Sequence, residues 1–271
     1  MIANFLQGGA AVSVLARLHQ IELTVTNLGL VTPPSAWPHP VDGVQFHDAS
    51  LGPGTRDFTQ EPAMTPMQCE ASLEIGRQRV REAMKEGVRC LLLGEMGIGN
   101  TTAASACLAA VGAVDPTQAV GRGTGVPDEG LDRKQQMVNL ALQRHEPYCR
   151  TSLDWLQHVG GFEITALTGA ILEAREHQMP TIIDGFVVTA AAAMAHALDA
   201  GNLANCLFAH RSAEAPHRSV LSYLDARPIF DLEMRLGEGS AAALVLPILD
   251  SACHLLKEMA TMDKLEGGRK S

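Results

Sequence analysis

Aromatic residues are scarce in this chain, 4% of 271 residues, while glycine and alanine abound. A core so poor in large rings has to close on small side chains in tight contact, as α/β proteins often do. No lysine or arginine cluster stands out, and the formal net charge is -9. That excludes the basic patch a nucleic-acid surface needs. The cysteines (Cys69, Cys90, Cys107, Cys149, Cys206 and Cys253) form no CxxC pair, and Cys90, Cys107 and Cys206 lie in apolar runs. They read as buried thiols in a reducing compartment rather than as a disulfide or zinc framework. The start, "MIANFLQGGAAVSVLARLHQ", has no basic region of the kind a signal peptide carries. The apolar run "FVVTAAAAMAHAL" is too short to span a bilayer. These absences predict a cytoplasmic protein with neither nucleic acid nor membrane as partner.

What is present is a hydrophobic fraction of 46% against 19% charged residues. That balance and the length fit a single domain over 1–271 with a sizeable core. Short apolar runs alternate with helical stretches. The strand candidates are Glu22–Leu28, Arg89–Leu93, Thr181–Ile183 and Ala204–Phe208. Helices are expected at Ile2–His19, Pro66–Glu86, Thr101–Val111, Leu131–Arg144, Glu163–Arg175, Val187–Leu198 and Ser240–Met259. Strand, loop and helix in repeated order imply an α/β fold, a Rossmann-like parallel sheet with helices on both faces. Ligands in such folds bind beyond the carboxyl ends of the strands. The stretches 32–43 and 52–65 read as long surface loops, and no internal repeat is found.

Each loop that follows a strand is therefore a candidate site wall. "LLLGEMGIGNTT" nearly matches the triphosphate loop G-x-x-x-x-G-K-[ST], with Asn100 where the lysine should be. Gly97 and Gly99 admit a ligand close to the backbone, and the N–H groups of Asn100, Thr101 and Thr102 suit an anion. The missing lysine argues for a single terminal phosphate; the bland reading is a tight turn capped by Thr101. "GRGTGVPDEGLDRK" is a second glycine-dense loop with Asp128 as a helix cap, and its Lys134 either reaches a phosphate or is simply solvated. Asp184, at the end of "TIID", could meet a sugar hydroxyl or cap the following helix. His210 and His217 in "HRSAEAPHR" have no metal-ligand spacing and read as loop residues. Glu238 stands between two glycines before an apolar helix. It is either a carboxylate favouring the helix dipole or a base in an open pocket.

"GEMGIGNTT", "GRGTG", "DGF", "HRSAE" and "RLGEGSAAAL", in this order and spacing, resemble the nicotinate-nucleotide–dimethylbenzimidazole phosphoribosyltransferase family over essentially the whole chain. The resemblance implies transfer of ribose 5-phosphate from nicotinate mononucleotide to 5,6-dimethylbenzimidazole, with no cofactor and no metal, by a homodimer. It implies a catalytic base at Glu238, a second glutamate near the site at Glu95, and donor binding by Gly97, Gly99, Asn100 and Thr101. Gly123, Gly125, Lys134, Asp184 and Ser212 fall in motifs around the donor. A small helical region built from the chain ends is implied as well.

Two departures stand out. Asn27 occupies a strand-end position where the family commonly has Asp. Family members also carry further chain upstream of the segment matching Met1. That upstream part supplies the first strand of the sheet, an Asp-His-Gly loop and part of the benzimidazole pocket. The sequence is accordingly expected to represent an amino-terminally truncated form. The alternative reading is a remnant that binds a mononucleotide or aromatic base without turning it over.

Overall fold

Parallel pairing is the rule in the computed structural model, which describes residues 1–121 and 128–262. Strands β1 (Leu23–Asn27) and β2 (Val44–Asp48) pair from Leu23 opposite Val44 to Asn27 opposite Asp48. Strands β3 (Leu91–Leu93), β4 (Thr181–Ile183) and β5 (Cys206–Phe208) form a second parallel sheet in that order. The expected parallel α/β fold is present, with its described strands divided between two sheets. Strand β2 was not expected. It is short and half-exposed, and only its partner β1 distinguishes it from the irregular chain on either side. At Asn27, the Nδ2 group donates to Asp48 Oδ1 across the pair at 2.8 Å.

The expected first helix is two: α1 (Ile2–Leu6) and α2 (Ala11–His19), parted at Gly8, whose φ of 77° is left-handed. Helices α3 (Pro66–Lys85), α4 (Thr101–Ala110), α5 (Asp128–His145), α7 (Phe162–Glu176), α8 (Phe186–Leu198) and α10 (Ser240–Glu258) lie where the periodicity placed them, within three residues at each end. Short helices α6 (Ser152–Val159) and α9 (His217–Tyr223) were not foreseen. The start of α3 is legible in "TPMQ". The Thr65 side chain accepts from the Gln68 N–H, the Gln68 side chain reaches back to Thr65, and Pro66 takes the first turn. Helix α2 packs on α10, so the two ends of the chain form the small helical region.

The core closes on small residues, as the scarcity of aromatics demands. Helix α8 is buried on all sides from Phe186 to Ala195, half of it alanine. It touches α4, α6, α7 and α9. Helices α3 and α7 approach most closely where Gly76 faces the Ala166 carbonyl and Gly169 faces the Leu73 carbonyl. Six free cysteines are distributed through the fold, with Cys69, Cys107 and Cys149 buried and Cys253 exposed. Helix α10 is the one described helix long and apolar enough to cross a membrane, with mean hydropathy 1.3. Its first turns are buried against β3 and β4, whereas Leu255 and Leu256 near its end are exposed.

Gly76→Ala tests the close helix crossing. In an open helix the substitution would stabilise by about 1 kcal/mol through propensity alone. Here the added Cβ would stand 1.8 Å from the Ala166 oxygen. We expect a net loss of about 1–3 kcal/mol in urea denaturation. A midpoint that stays put or rises would show that the helices separate at no cost.

Candidate active site

Beyond the carboxyl end of β3 the chain makes the turn Gly94–Asn100, with Gly97 and Gly99 at φ 77° and 81°. Asn100 stands at the N-cap of α4 but gives no side-chain cap, so the expected alternative, a turn capped by Thr101, is not what forms. The first N–H groups of α4 are left without an intrahelical acceptor, and a ligand anion would suit them. Helix α8 likewise begins at Gly185 without a side-chain cap. A cavity of about 60 Å³ is lined by residues of both starts, Thr101 and Gly185–Val188, with Glu95, Gly97, Asp184, Ser212 and Arg235. Lys134 stands beside it rather than in solvent: its Nζ donates to Thr101 Oγ1 at 3.0 Å. Gly123 and Gly125 lie outside the described residues.

Glu238 lies at the mouth of a second and larger cavity, about 370 Å³, together with Glu95, Met96, Leu93 and apolar side chains of α2 and β1. Glu95 is common to both cavities. Its carboxylate folds back to accept the Gly97 N–H, while its carbonyl accepts the Glu238 N–H at 2.7 Å. The Glu238 backbone is left-handed, φ 66°, between Gly237 at 78° and Gly239 at 83°. A non-glycine residue there costs about 1–3 kcal/mol. Strain of that kind persists where the surroundings enforce it, and here they do. A Cβ on Gly94 would sit 2.5 Å from the Gly239 backbone, so the β3 loop and the α10 turn are in direct contact. Ala11, the first residue of α2, donates its N–H to Glu238 Oε2 at 3.1 Å.

Asp184 does something the sequence did not suggest. It caps α10, not the helix that follows it. Its Oδ2 accepts from Gly239 N at 3.1 Å and its Oδ1 from Ala242 N at 3.0 Å. Burial pushes its carboxyl up, and those N–H donors with nearby His210 pull it back. His210 and His217, expected in a loop, are buried at 2% and 0% exposure. His217 Nδ1 accepts the Ser212 N–H at 2.8 Å and its Nε2 pairs with Thr189 Oγ1 at 3.0 Å. Burial, then His210 and Arg211, push His217 down to about 3, so it serves as a neutral strut under Ser212. His210 is lowered by burial, and its Nδ1 has no partner among the described residues. No group of three or more potential ligands is placed to hold a metal ion among the described residues.

Sequence reasoning passed over Glu163, named there only as the first residue of the expected helix Glu163–Arg175. It is half-buried, and it accepts from the Asn100 Nδ2 at 3.2 Å. Burial, then the Glu95 charge, push its carboxyl up to about 7. A Cβ on Gly161 would stand 2.2 Å from Glu163 Oε1, so the glycines of "GGFE" leave the carboxyl room to fold back.

A cradle of two helix starts beside a carboxylate-lined cavity, at the carboxyl ends of parallel strands, suits the transfer of a phosphorylated group. The comparisons name the class: a family model described as phosphoribosyltransferase matches residues 1–266. Nicotinate-nucleotide–dimethylbenzimidazole phosphoribosyltransferase of Chloroflexus aurantiacus is 44% identical over 261 residues, covering 96% of this chain and 73% of that protein. The enzyme of the same name from Pseudomonas fluorescens is also 44% identical with the same coverage. The crystal structure of CobT from Thermus thermophilus matches with a TM-score of 0.90 at 40% identity, over 98% of this chain and 78% of that one. The chain belongs to the nicotinate-nucleotide–dimethylbenzimidazole phosphoribosyltransferase family.

Asp184→Asn tests the cap. One backbone N–H of α10 then faces an amide N–H instead of a carboxylate oxygen. Hydrogen bonds to charged groups are worth about 1.5–3 kcal/mol, and the variant should lose that much in chemical denaturation. Wild-type stability would show that the cap is dispensable.

Proposed function

We propose that the protein transfers ribose 5-phosphate from nicotinate mononucleotide to 5,6-dimethylbenzimidazole, giving α-ribazole 5'-phosphate and nicotinate. The observation that carries this reading is the pair of uncapped helix starts, α4 and α8, meeting at one cavity with Arg235 in its wall and Lys134 beside it on Thr101. Such a cradle fits one phosphate. The donor carries one, and no triphosphate lysine is required. Gly97, Gly99, Asn100, Thr101 and Ser212 belong to the donor side, with Gly123 and Gly125 assigned there by motif. Asp184 contributes by holding α10.

The acceptor base occupies the larger cavity, against Glu238. One ring nitrogen attacks the sugar carbon through its lone pair. The bond from that carbon to the nicotinate nitrogen breaks, and its electron pair returns to the ring, which loses its positive charge. No strong acid is needed for such a leaving group. The proton on the acceptor's other nitrogen passes to Glu238, whose Oε2 is already fixed by Ala11. Attack opposite the leaving group inverts the sugar carbon, turning a β-linked donor into an α-linked product. Holding donor and base on opposite faces would account for a large share of the rate. Glu95, touching both cavities, is the second carboxylate of the reaction space. A homodimer working in the cytoplasm is the form assigned to the enzyme.

Glu238→Gln preserves shape and removes basicity. Loss of a general base costs about 100- to 10,000-fold in rate, and nicotinate mononucleotide should bind the variant nearly as before. Turnover close to wild type would take Glu238 out of the role and direct attention to Glu95. Wild-type protein that binds the nucleotide yet never turns over would point instead to a non-catalytic binding remnant.

The phosphate cradle is tested separately by calorimetry with nicotinate mononucleotide and its riboside. Each charge-assisted hydrogen bond is worth about 1.5–3 kcal/mol, so the riboside should bind about tenfold more weakly or worse. Equal affinities would remove the cradle.

A further inference from the structure

Asn100 presents a hydrogen-bonding problem. Its Nδ2 donates to Glu163 Oε1 at 3.2 Å. Its Oδ1 is buried and has no partner among the described residues. A carboxylate has no proton to offer that oxygen. A carboxylic acid has one, and an acid facing a primary amide forms a cyclic pair: the amide N–H donates to one carboxyl oxygen and the acid O–H donates to the amide oxygen. One bond of such a pair is present, and the amide oxygen that would accept the second has no other partner among the described residues.

We propose that Glu163 is a positioning residue for the donor loop, which in its neutral acid form locks the Asn100 amide by this two-bond pair and on ionising releases it. The inference rests on the reading of Gly94–Thr101 as the donor-phosphate loop. Asn100 is the residue from which α4 starts, so whatever fixes its side chain fixes the N–H groups offered to the phosphate. Glu163 itself stands on α7, anchored through the long contact of that helix with α3. It therefore couples a rigid layer of the fold to a glycine-rich turn.

The surroundings favour the neutral form. Burial is the largest influence on Glu163, and the Glu95 carboxylate after β3 is next; together they bring it to about 7, against the pull of its own backbone N–H and of Asn100. From α4, Cys107 also faces it, a thiol pushed up by burial and then by Glu163. Glu238 from the α10 turn, Arg79 and Glu82 from α3, Glu86 just after it, Glu22, and His47 from β2 line the same cavity. None of these figures among the groups that set its proton affinity. The sign follows. A carboxyl raised in the folded protein stabilises it fully below the ordinary carboxylate range and loses that contribution as pH rises through about 7. Ionisation breaks the second bond of the pair and places a further negative charge close to an incoming phosphate.

The test is the affinity for nicotinate mononucleotide, measured by calorimetry between about pH 6 and 8.5, for wild type and Glu163→Gln. The ligand's phosphate titrates near pH 6, and His47, held below the ordinary imidazole value by burial, titrates as well, but these effects are common to both proteins. The informative quantity is the ratio of affinities at each pH. A glutamine offers an N–H donor and a carbonyl acceptor at every pH, so it forms the two-bond pair with Asn100 permanently. We expect the two proteins to bind alike at the acid end of the range. At the alkaline end the wild type should be weaker by about tenfold, the usual effect of one buried group losing its partner. Glu163→Ala, which supplies neither bond, should be weak throughout. Should that variant fail to fold, the wild-type and glutamine curves still decide. A ratio constant across the range would overturn the proposal, as would a glutamine variant that binds weakly at every pH. Absence of binding by wild type at any pH would overturn the donor-loop reading itself, a different and recognisable failure.

Discussion

Asp184 is the fixed point of the site. A single buried carboxylate at the end of β4 takes two backbone N–H groups from the start of α10 and thereby pins that helix to the sheet. The arrangement of the larger cavity follows from this attachment. The turn Gly237–Gly239 is drawn against the β3 loop until Gly94 and Gly239 touch backbone to backbone. That contact leaves Glu238 no room for an ordinary conformation and orients its side chain across the larger cavity toward α2. The same device recurs there with the roles exchanged: Glu238 accepts from the first N–H of α2. Two helices are thus started by carboxylates from distant parts of the sequence. The starts of α4 and α8, which meet at the smaller cavity, have no such carboxylate cap.

The choice of small residues elsewhere serves the same end. Alanines throughout α8 and glycines at the α3–α7 crossing allow backbones to approach more closely than large side chains would permit. Helices in such contact have little freedom to shift, because the neighbour met is a carbonyl rather than a flexible side chain. Rigidity of this kind suits a reaction whose stereochemistry depends on holding two partners on opposite faces of a sugar. The scarcity of aromatic residues is then a property of how the layers meet.

Much of this was legible in the sequence, and the parts that were not share a cause. Long helices such as α3, α7 and α10 declare themselves through periodicity and capping chemistry, because the information is local. The glycine-rich turns at 94–100 and 237–239 were visible for the same reason. Strand β2 was missed because five half-exposed residues mean little until β1 lies beside them. The break between α1 and α2 at Gly8 was passed over because apolar periodicity runs on across it. At the site, local chemistry suggested that Asp184 would cap its own following helix, yet it caps one more than fifty residues away. Glu163 was overlooked because an acidic residue in a first helical turn needs no further explanation; only its burial against Asn100 gives it another role. His210 and His217 read as loop residues since nothing in so short a stretch of sequence reveals the core beneath them.

The bond between Ala11 and Glu238 joins residues 227 positions apart, and this has a consequence for how the molecule comes into being. Contacts of that separation bring in loop-closure entropy without local reward, so they form after the short-range structure around them. On the ribosome the turn carrying Glu238 is made long after α2 has emerged. Until it arrives, α2 has no acceptor for its leading N–H and the larger cavity lacks its carboxylate. Donor-loop elements can assemble earlier from the middle of the sequence. The larger cavity is therefore incomplete until that turn is made. With Glu238 as the proposed base, a folding intermediate that held a nucleotide would still be unable to consume it.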